Sequence, residues 1–188
     1  MNATDNGVMA LLTVGHGALD RRGLIDLLGG ANIDVLVDVR SYPGSRRNED
    51  VKRDLMAQWV PQAGMEYRWE PRLGGRRHLT KDEDSRSPDQ WWQMAAFRAY
   101  AAHTRTEEFG VALRDVLATA ESARVAVMCS ESVWWRCHRR LIADVVTLAF
   151  NLPVHHLMHD GSQRLHEPSE GARLADRGVV VWDGVDRS

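Results

Sequence analysis

The chain is predicted to fold as a three-layer α/β/α sandwich around a mainly parallel, Rossmann-like sheet, and three observations carry that prediction. Short β-branched apolar runs recur along its 188 residues, most of them ending in a glycine-rich or polar loop. Helical apolar stripes alternate with these runs, and strand–helix alternation implies parallel strands joined by right-handed crossovers. The clearest unit is Val125-Ala126-Val127-Met128-Cys129, then a loop holding Glu131, then a cationic amphipathic stretch from Trp134 to Phe150. In an open parallel sheet the loops leaving the carboxyl ends of the strands form the binding crevice, so Cys129 and Glu131 stand where such folds do chemistry.

Taken in order, Met9 to Val14 is an apolar run stopped by Gly15-His16-Gly17, a first buried strand followed by a tight turn that lets backbone approach a ligand. Leu24, Ile25, Leu27 and Leu28 form a helical stripe, which Gly29-Gly30 is expected to end. Val35 to Arg40 is a second buried strand, with Asp38 and Arg40 two residues apart on one face. A loop over Ser41 to Ser45 leads to a helix within Glu49 to Val60, and Met65 to Trp69 alternates like a half-exposed strand. The polar, turn-prone stretch around 78–88 is expected to be a mobile surface loop. Helices are predicted from about Asp89 to His103 and from Thr106 to Glu121, a strand at Val154 to Met158, and a last short strand at Val179 to Trp182.

This length suits one domain over residues 1–188, and 44% apolar with 27% charged residues is ordinary for a soluble globular protein. No window approaches a membrane span, the N-terminus does not read as a signal peptide, and two cysteines are too few for a disulfide scaffold. A reducing cytoplasm is the expected compartment. The net charge of −2 argues against general nucleic-acid binding. Residues 40–77 are locally basic, however, with nine Arg or Lys against five acids, and mostly arginine, which suits bidentate phosphate contacts. The adjacent pairs Trp91-Trp92 and Trp134-Trp135 cannot both face a core from a helix, so one of each is expected at a crevice or boundary.

His16 follows the first strand, Arg40 ends the second and Cys129 ends a central one, so parallel strands bring all three to one edge of the sheet. A thiol at a helix start beside an imidazole and arginines makes a thiolate nucleophile next to an anion pocket, with Glu131 or His16 to carry protons. The plain alternative is that His16 is a turn residue, Arg40 pairs with Asp38 and Cys129 is a small core residue. Cys137 shares a helical stripe with Trp134, Leu141, Val145 and Leu148, which assigns it to the core. A metal site of Cys129, Cys137, His138 and His16 lacks the usual zinc spacing, so no metal ligand is assigned. A Cys129–Cys137 disulfide requires the two Cα atoms to come within about 7 Å. The thiol-phosphatase loop fails, because Cys129 and Arg136 are one residue too far apart.

These pieces taken together resemble the domain-of-unknown-function 488 family. The resemblance rests on Thr13-Val14-Gly15-His16, on Leu36-Val37-Asp38-Val39-Arg40 with Pro43 and Ser45, on Tyr67 ahead of Leu73-Gly74-Gly75, and on Cys129, Glu131 and Cys137-His138-Arg139. Gly17 stands where the family usually has serine, so a hydroxyl role there is absent. The resemblance implies that His16, Arg40, Cys129, Glu131 and Arg139 belong to one site, without naming a reaction or a cofactor.

The sequence therefore points to a thiol-dependent enzyme for an anionic, phosphate-bearing or nucleotide-like substrate. Cys129, Glu131 and His16 are its catalytic residues, and Arg40, Arg46, Arg76 and Arg139 hold the anion. Two alternatives stand beside it: a nucleic-acid-binding module using the basic 40–77 segment, and a structural Cys/His metal site. On the first reading Cys129 carries a lowered pKa and is alkylated faster than a shielded Cys137.

Overall fold

The apolar runs become the parallel strands. In the computed structural model, which describes residues 9–44 and 48–184, β1 is Leu11–Gly15, β2 Val35–Asp38, β3 Glu66–Trp69, β4 Val125–Cys129 and β5 Val154–Leu157. Their order is β3-β2-β4-β1-β5, and a sixth strand, β6 (Gln163–Leu165), adds antiparallel beside β5. The other pairings are all parallel. β1, β2 and β4 hold the centre and are buried along their whole length, which is why they read as continuous apolar runs rather than alternating ones.

Among the described residues six helices accompany this sheet: α1 (Arg21–Gly30), α2 (Arg53–Gln62), α3 (Lys81–Ser85), α4 (Ala95–Thr104), α5 (Glu107–Ala120) and α6 (Arg139–Phe150). α1 and α2 cover one face, where Leu24, Leu28, Met56 and Val60 pack with Leu12, Val14, Leu36 and Met128. α4, α5 and α6 cover the other, where Tyr100, Leu113, Val116 and Ile142 pack with Val37, Val127 and Cys129. The two-residue period of a strand decides which face each side chain joins.

Several boundaries depart from the sequence reading. α6 begins at Arg139, not at Trp134, and residues Trp134–Arg136 form a short 3-10 turn. Trp134 stacks flat on His156 with ring centroids 3.9 Å apart, a contact that fixes this loop against β5 in a stretch of weak helix formers. α4 starts six residues later than expected, because Asp89 is a buried acceptor for Arg105 Nη2 (2.6 Å) and the Trp182 backbone N–H (3.1 Å). The stretch around 78–88 is not a bare loop: Thr80 and Glu83 form a reciprocal capping box that starts α3, and Arg98 holds Asp84 at 2.6 Å. α1 runs through Gly29-Gly30 before it ends. The last strand, β8 (Val180–Trp182), does not extend the main sheet but pairs antiparallel with β7 (Ala172–Leu174). Among the described residues no helix is long and apolar enough to cross a membrane.

A buried polar chain ties the C-terminal segment to the sheet. Asp144 of α6 accepts from Trp182 Nε1 (2.8 Å) and Ser169 Oγ (2.8 Å). One direction of donation satisfies the rest: Thr13 hydroxyl to His156 Nδ1 at 2.6 Å, His156 Nε2–H to His166 Nδ1 at 3.0 Å, and His166 Nε2–H to Asp144 at 2.8 Å. Burial, then His166 and Arg139, pull the pKa of His156 down to about 3, so it is neutral at pH 7.

Candidate active site

The loops after β2 and β4 diverge at the carboxyl edge of the sheet and leave a cleft of about 580 Å³. Its floor carries Cys129, Cys137 and His138, and its walls carry Ser130, Glu131, Tyr42 and Tyr100. Arg76 and Arg136, both exposed, line it too, and neither has a carboxylate partner among the described residues. Arg76 instead lies over the Tyr42 ring at 5.4 Å. Two glycines allow the loops to close. A Cβ on Gly15 would stand 1.9 Å from the Glu131 carbonyl oxygen, and one on Gly75 would stand 2.4 Å from His138 Nδ1.

The two thiols form one unit. Cys129 Sγ, Cys137 Sγ and His138 Nδ1 lie within 4.8 Å of one another, and both cysteines are reduced and nearly buried, with 9% and 4% of their surface exposed. His138 Nδ1 is 3.7 Å from the Cys129 sulfur and 3.6 Å from that of Cys137, and Arg139 donates from Nε to the Cys137 sulfur at 3.4 Å. Donation to the Cys137 sulfur, and then burial, push the Cys129 thiol well up. That same hydrogen bond, against burial and with His138 and Arg139 adding to it, pulls Cys137 well down. These directions favour a thiolate on Cys137 over one on Cys129, while the expected place of Cys137 among core side chains holds, since it packs in one apolar cluster with Leu141 and Val145. The late start of α6 leaves Cys137 just ahead of the helix, so that it also lines the cleft.

His16 and Arg40 reach the expected edge but not the cysteines' face. Gly15 is level with Cys129 in the β1–β4 register, so His16, one position on, points to the side of α2. Arg40 is locked by Asp38, donating from Nε to Oδ1 at 2.8 Å and from Nη2 to Oδ2 at 2.6 Å, and also gives Nη2–H to the Val51 carbonyl at 2.8 Å. Its Nη1 donates to His16 Nε2 at 3.3 Å, while His16 Nδ1–H goes to the Gly17 carbonyl at 2.9 Å. His16 thus has both ring nitrogens engaged, one of them on Arg40, and is not among the residues that line the cleft. Arg40 contributes to the cleft wall, but Asp38 neutralises the charge expected to hold an anion. Tyr67 closes the cluster, donating its hydroxyl to Asp38 Oδ2 at 2.7 Å.

Burial, followed by the charge of Arg40, lowers the pKa of His16 to about 4. His16 and His156 therefore share a consequence. Between pH 6.5 and 4 the unfolded chain binds protons that the folded one refuses, so stability is complete above pH 6.5 and falls as pH falls. From pH 7 to pH 5 each imidazole is expected to remove about 2 kcal/mol. Urea unfolding at the two pH values checks this, and a flat stability across that window would mean that neither ring is held neutral.

The remaining expectations divide. Arg139, only 1% exposed, does not reach the cleft, since its guanidinium is used on the Cys137 sulfur and the Glu131 carbonyl. Its place is behind the cleft, against Cys137 and the loop that carries Glu131. Arg76 and Glu131 do line the cleft, whereas Arg46 lies outside the described residues.

Residues 20–146 match the family model described as Domain of unknown function DUF488. The chain belongs to that family. No curated protein and no solved structure matches it. The DUF488 match takes in Arg40, Cys129, Glu131, Cys137, His138 and Arg139, and begins after His16. Within this DUF488 chain, sequence reasoning missed Cys137, His138, Tyr42, Tyr100 and Arg136 as cleft residues. The signal was present for two of them, since Cys137-His138-Arg139 is part of the motif on which the resemblance rests, yet only Arg139 was given a role.

Proposed function

We propose that the chain is a cytoplasmic, thiol-dependent enzyme acting on an anionic, phosphate-bearing or nucleotide-like small molecule in this cleft. The observation that supports the reading best is the combination of a sulfur cluster on the floor with two guanidinium groups on the walls, Arg76 and Arg136, that lack carboxylate partners among the described residues. Cys137 is the attacking sulfur, because Arg139 donates to it and Cys129 shares its proton with it. Glu131 serves as the acid or base on the cleft wall, and the exposed Tyr42 offers a ring face to a base or sugar. Arg76 and Arg136 hold the anion.

Calorimetric titration with inorganic pyrophosphate tests the anion site. The Arg76→Ala and Arg136→Ala variants are each expected to lose about tenfold in affinity, a loss of roughly 1.4 kcal/mol apiece. No binding by the native protein, or full affinity in the double variant, would sink the reading. The nucleic-acid alternative has less behind it. Arg40, Lys52, Arg53, Arg68, Arg72 and Arg77 of the basic segment each pair with a carboxylate, which removes most of the free positive charge a phosphate backbone needs.

A further inference from the structure

We infer that Cys129 Sγ, Cys137 Sγ and His138 Nδ1 form a binding site for one zinc-class divalent cation, with its fourth coordination position open to the cleft. Zinc–sulfur and zinc–nitrogen bonds of about 2.3 and 2.0 Å at a tetrahedral angle put neighbouring S and N ligands about 3.6 Å apart. The two S···N separations here are 3.7 and 3.6 Å, and all three atoms fall within 4.8 Å of one another. The S···N pairs already stand at ligand spacing, and the two sulfurs would close toward the roughly 3.8 Å of a tetrahedral pair to share an ion.

Charge and chemistry agree with the geometry. Two thiolates cancel the charge of a dication, so a nearly buried centre stays neutral, and a sulfur-rich set with one imidazole selects zinc over magnesium or calcium. His138 Nε2 has no hydrogen-bond partner, so the ring can carry its proton there and turn the Nδ1 lone pair, already aimed at the two sulfurs, to a metal. Arg139 Nε–H on the Cys137 sulfur is the kind of outer contact that steadies a ligating thiolate. The linear spacing hides this site, since one ligand ends β4 and the other two precede α6. Three protein ligands with an open fourth position are the arrangement of reactive rather than purely structural zinc sites. The inference goes beyond the function proposed above and stands whether or not Cys137 attacks a substrate, though a bound ion would shield that sulfur from electrophiles.

Cobalt(II) is the probe. Reduced, chelator-stripped protein is titrated with Co²⁺ under anaerobic conditions and then challenged with Zn²⁺. The expected result is one equivalent bound, with the intense visible bands of tetrahedral cobalt and a near-ultraviolet thiolate charge-transfer band of two-sulfur intensity, all displaced by Zn²⁺. Because the chain holds only two cysteines, that intensity identifies both ligands in the native protein, even where a cysteine variant fails to fold. His138→Ala is expected to weaken Co²⁺ binding more than about a hundredfold, beyond the loss typical of an outer-shell change. Weak octahedral bands, no charge-transfer band, or native affinity in folded His138→Ala would overturn the site. None of these outcomes depends on pyrophosphate binding or on alkylation, so failure here is separable from failure of the enzyme reading.

Discussion

Replacing Asp38 by alanine is expected to destabilise the fold by about 3–5 kcal/mol, the cost of leaving a buried charge without its partner. Asp38 is fully buried and accepts four hydrogen bonds: from Arg40 Nε, Nη2 and backbone N, and from the Tyr67 hydroxyl. Without it the Arg40 guanidinium, 5% exposed, keeps only the Val51 carbonyl, the Met56 sulfur and His16 as acceptors. The thermal midpoint should fall by roughly 10 °C for a chain of this size. Asp38→Ala combined with Arg40→Met should recover much of the loss, because an apolar pair of similar volume no longer strands a charge. A loss below about 1 kcal/mol in the single variant would mean that Arg40 finds water or another acid. The floor of the cleft would then not depend on this lock.

The central architecture was legible because each buried strand is written as an unbroken apolar run, and each such run in β1, β2 and β4 lands where the alternation with helices puts it. The edge at which His16, Arg40 and Cys129 meet followed from parallel topology alone. What was missed there was parity, and parity was readable. Asp38 and Arg40 fall on the face of Leu36 toward α2, whereas Cys129 falls on the face of Val127 toward α5 and α6. Of the three residues, His16 therefore stands behind the cleft, Arg40 reaches its wall from the other face, and Cys129 builds its floor.

Other features were set by contacts far apart in sequence, which no local pattern encodes. The delay of α6 to Arg139 depends on Trp134 stacking on His156 of β5, and that delay is what brings Cys137 and His138 to the cleft. Asp89 looked like the start of a helix but is held by Arg105 and by the backbone of β8. The antiparallel β6 and β7 were too short and polar to register as strands, and the buried Asp144–His166–His156–Thr13 chain that anchors this region joins β1, β5 and α6. His156 and His166 are part of that anchor.

The account stands on Cys137 being the thiolate of the pair, held there by Arg139 and by the proton on Cys129. Limiting iodoacetamide on reduced, metal-free protein at pH 7, with the labelled peptides counted by mass spectrometry, reads this directly. Cys137 should carry the label at least about a hundredfold faster than Cys129, since each unit by which a thiol's pKa stands above the pH lowers its thiolate fraction tenfold. Cys137→Ser should leave only the slow reaction of Cys129, and pyrophosphate should protect Cys137 in the native protein. First labelling at Cys129, or equally slow labelling of both thiols, would contradict the assignment and leave the arginines around an inert core pair.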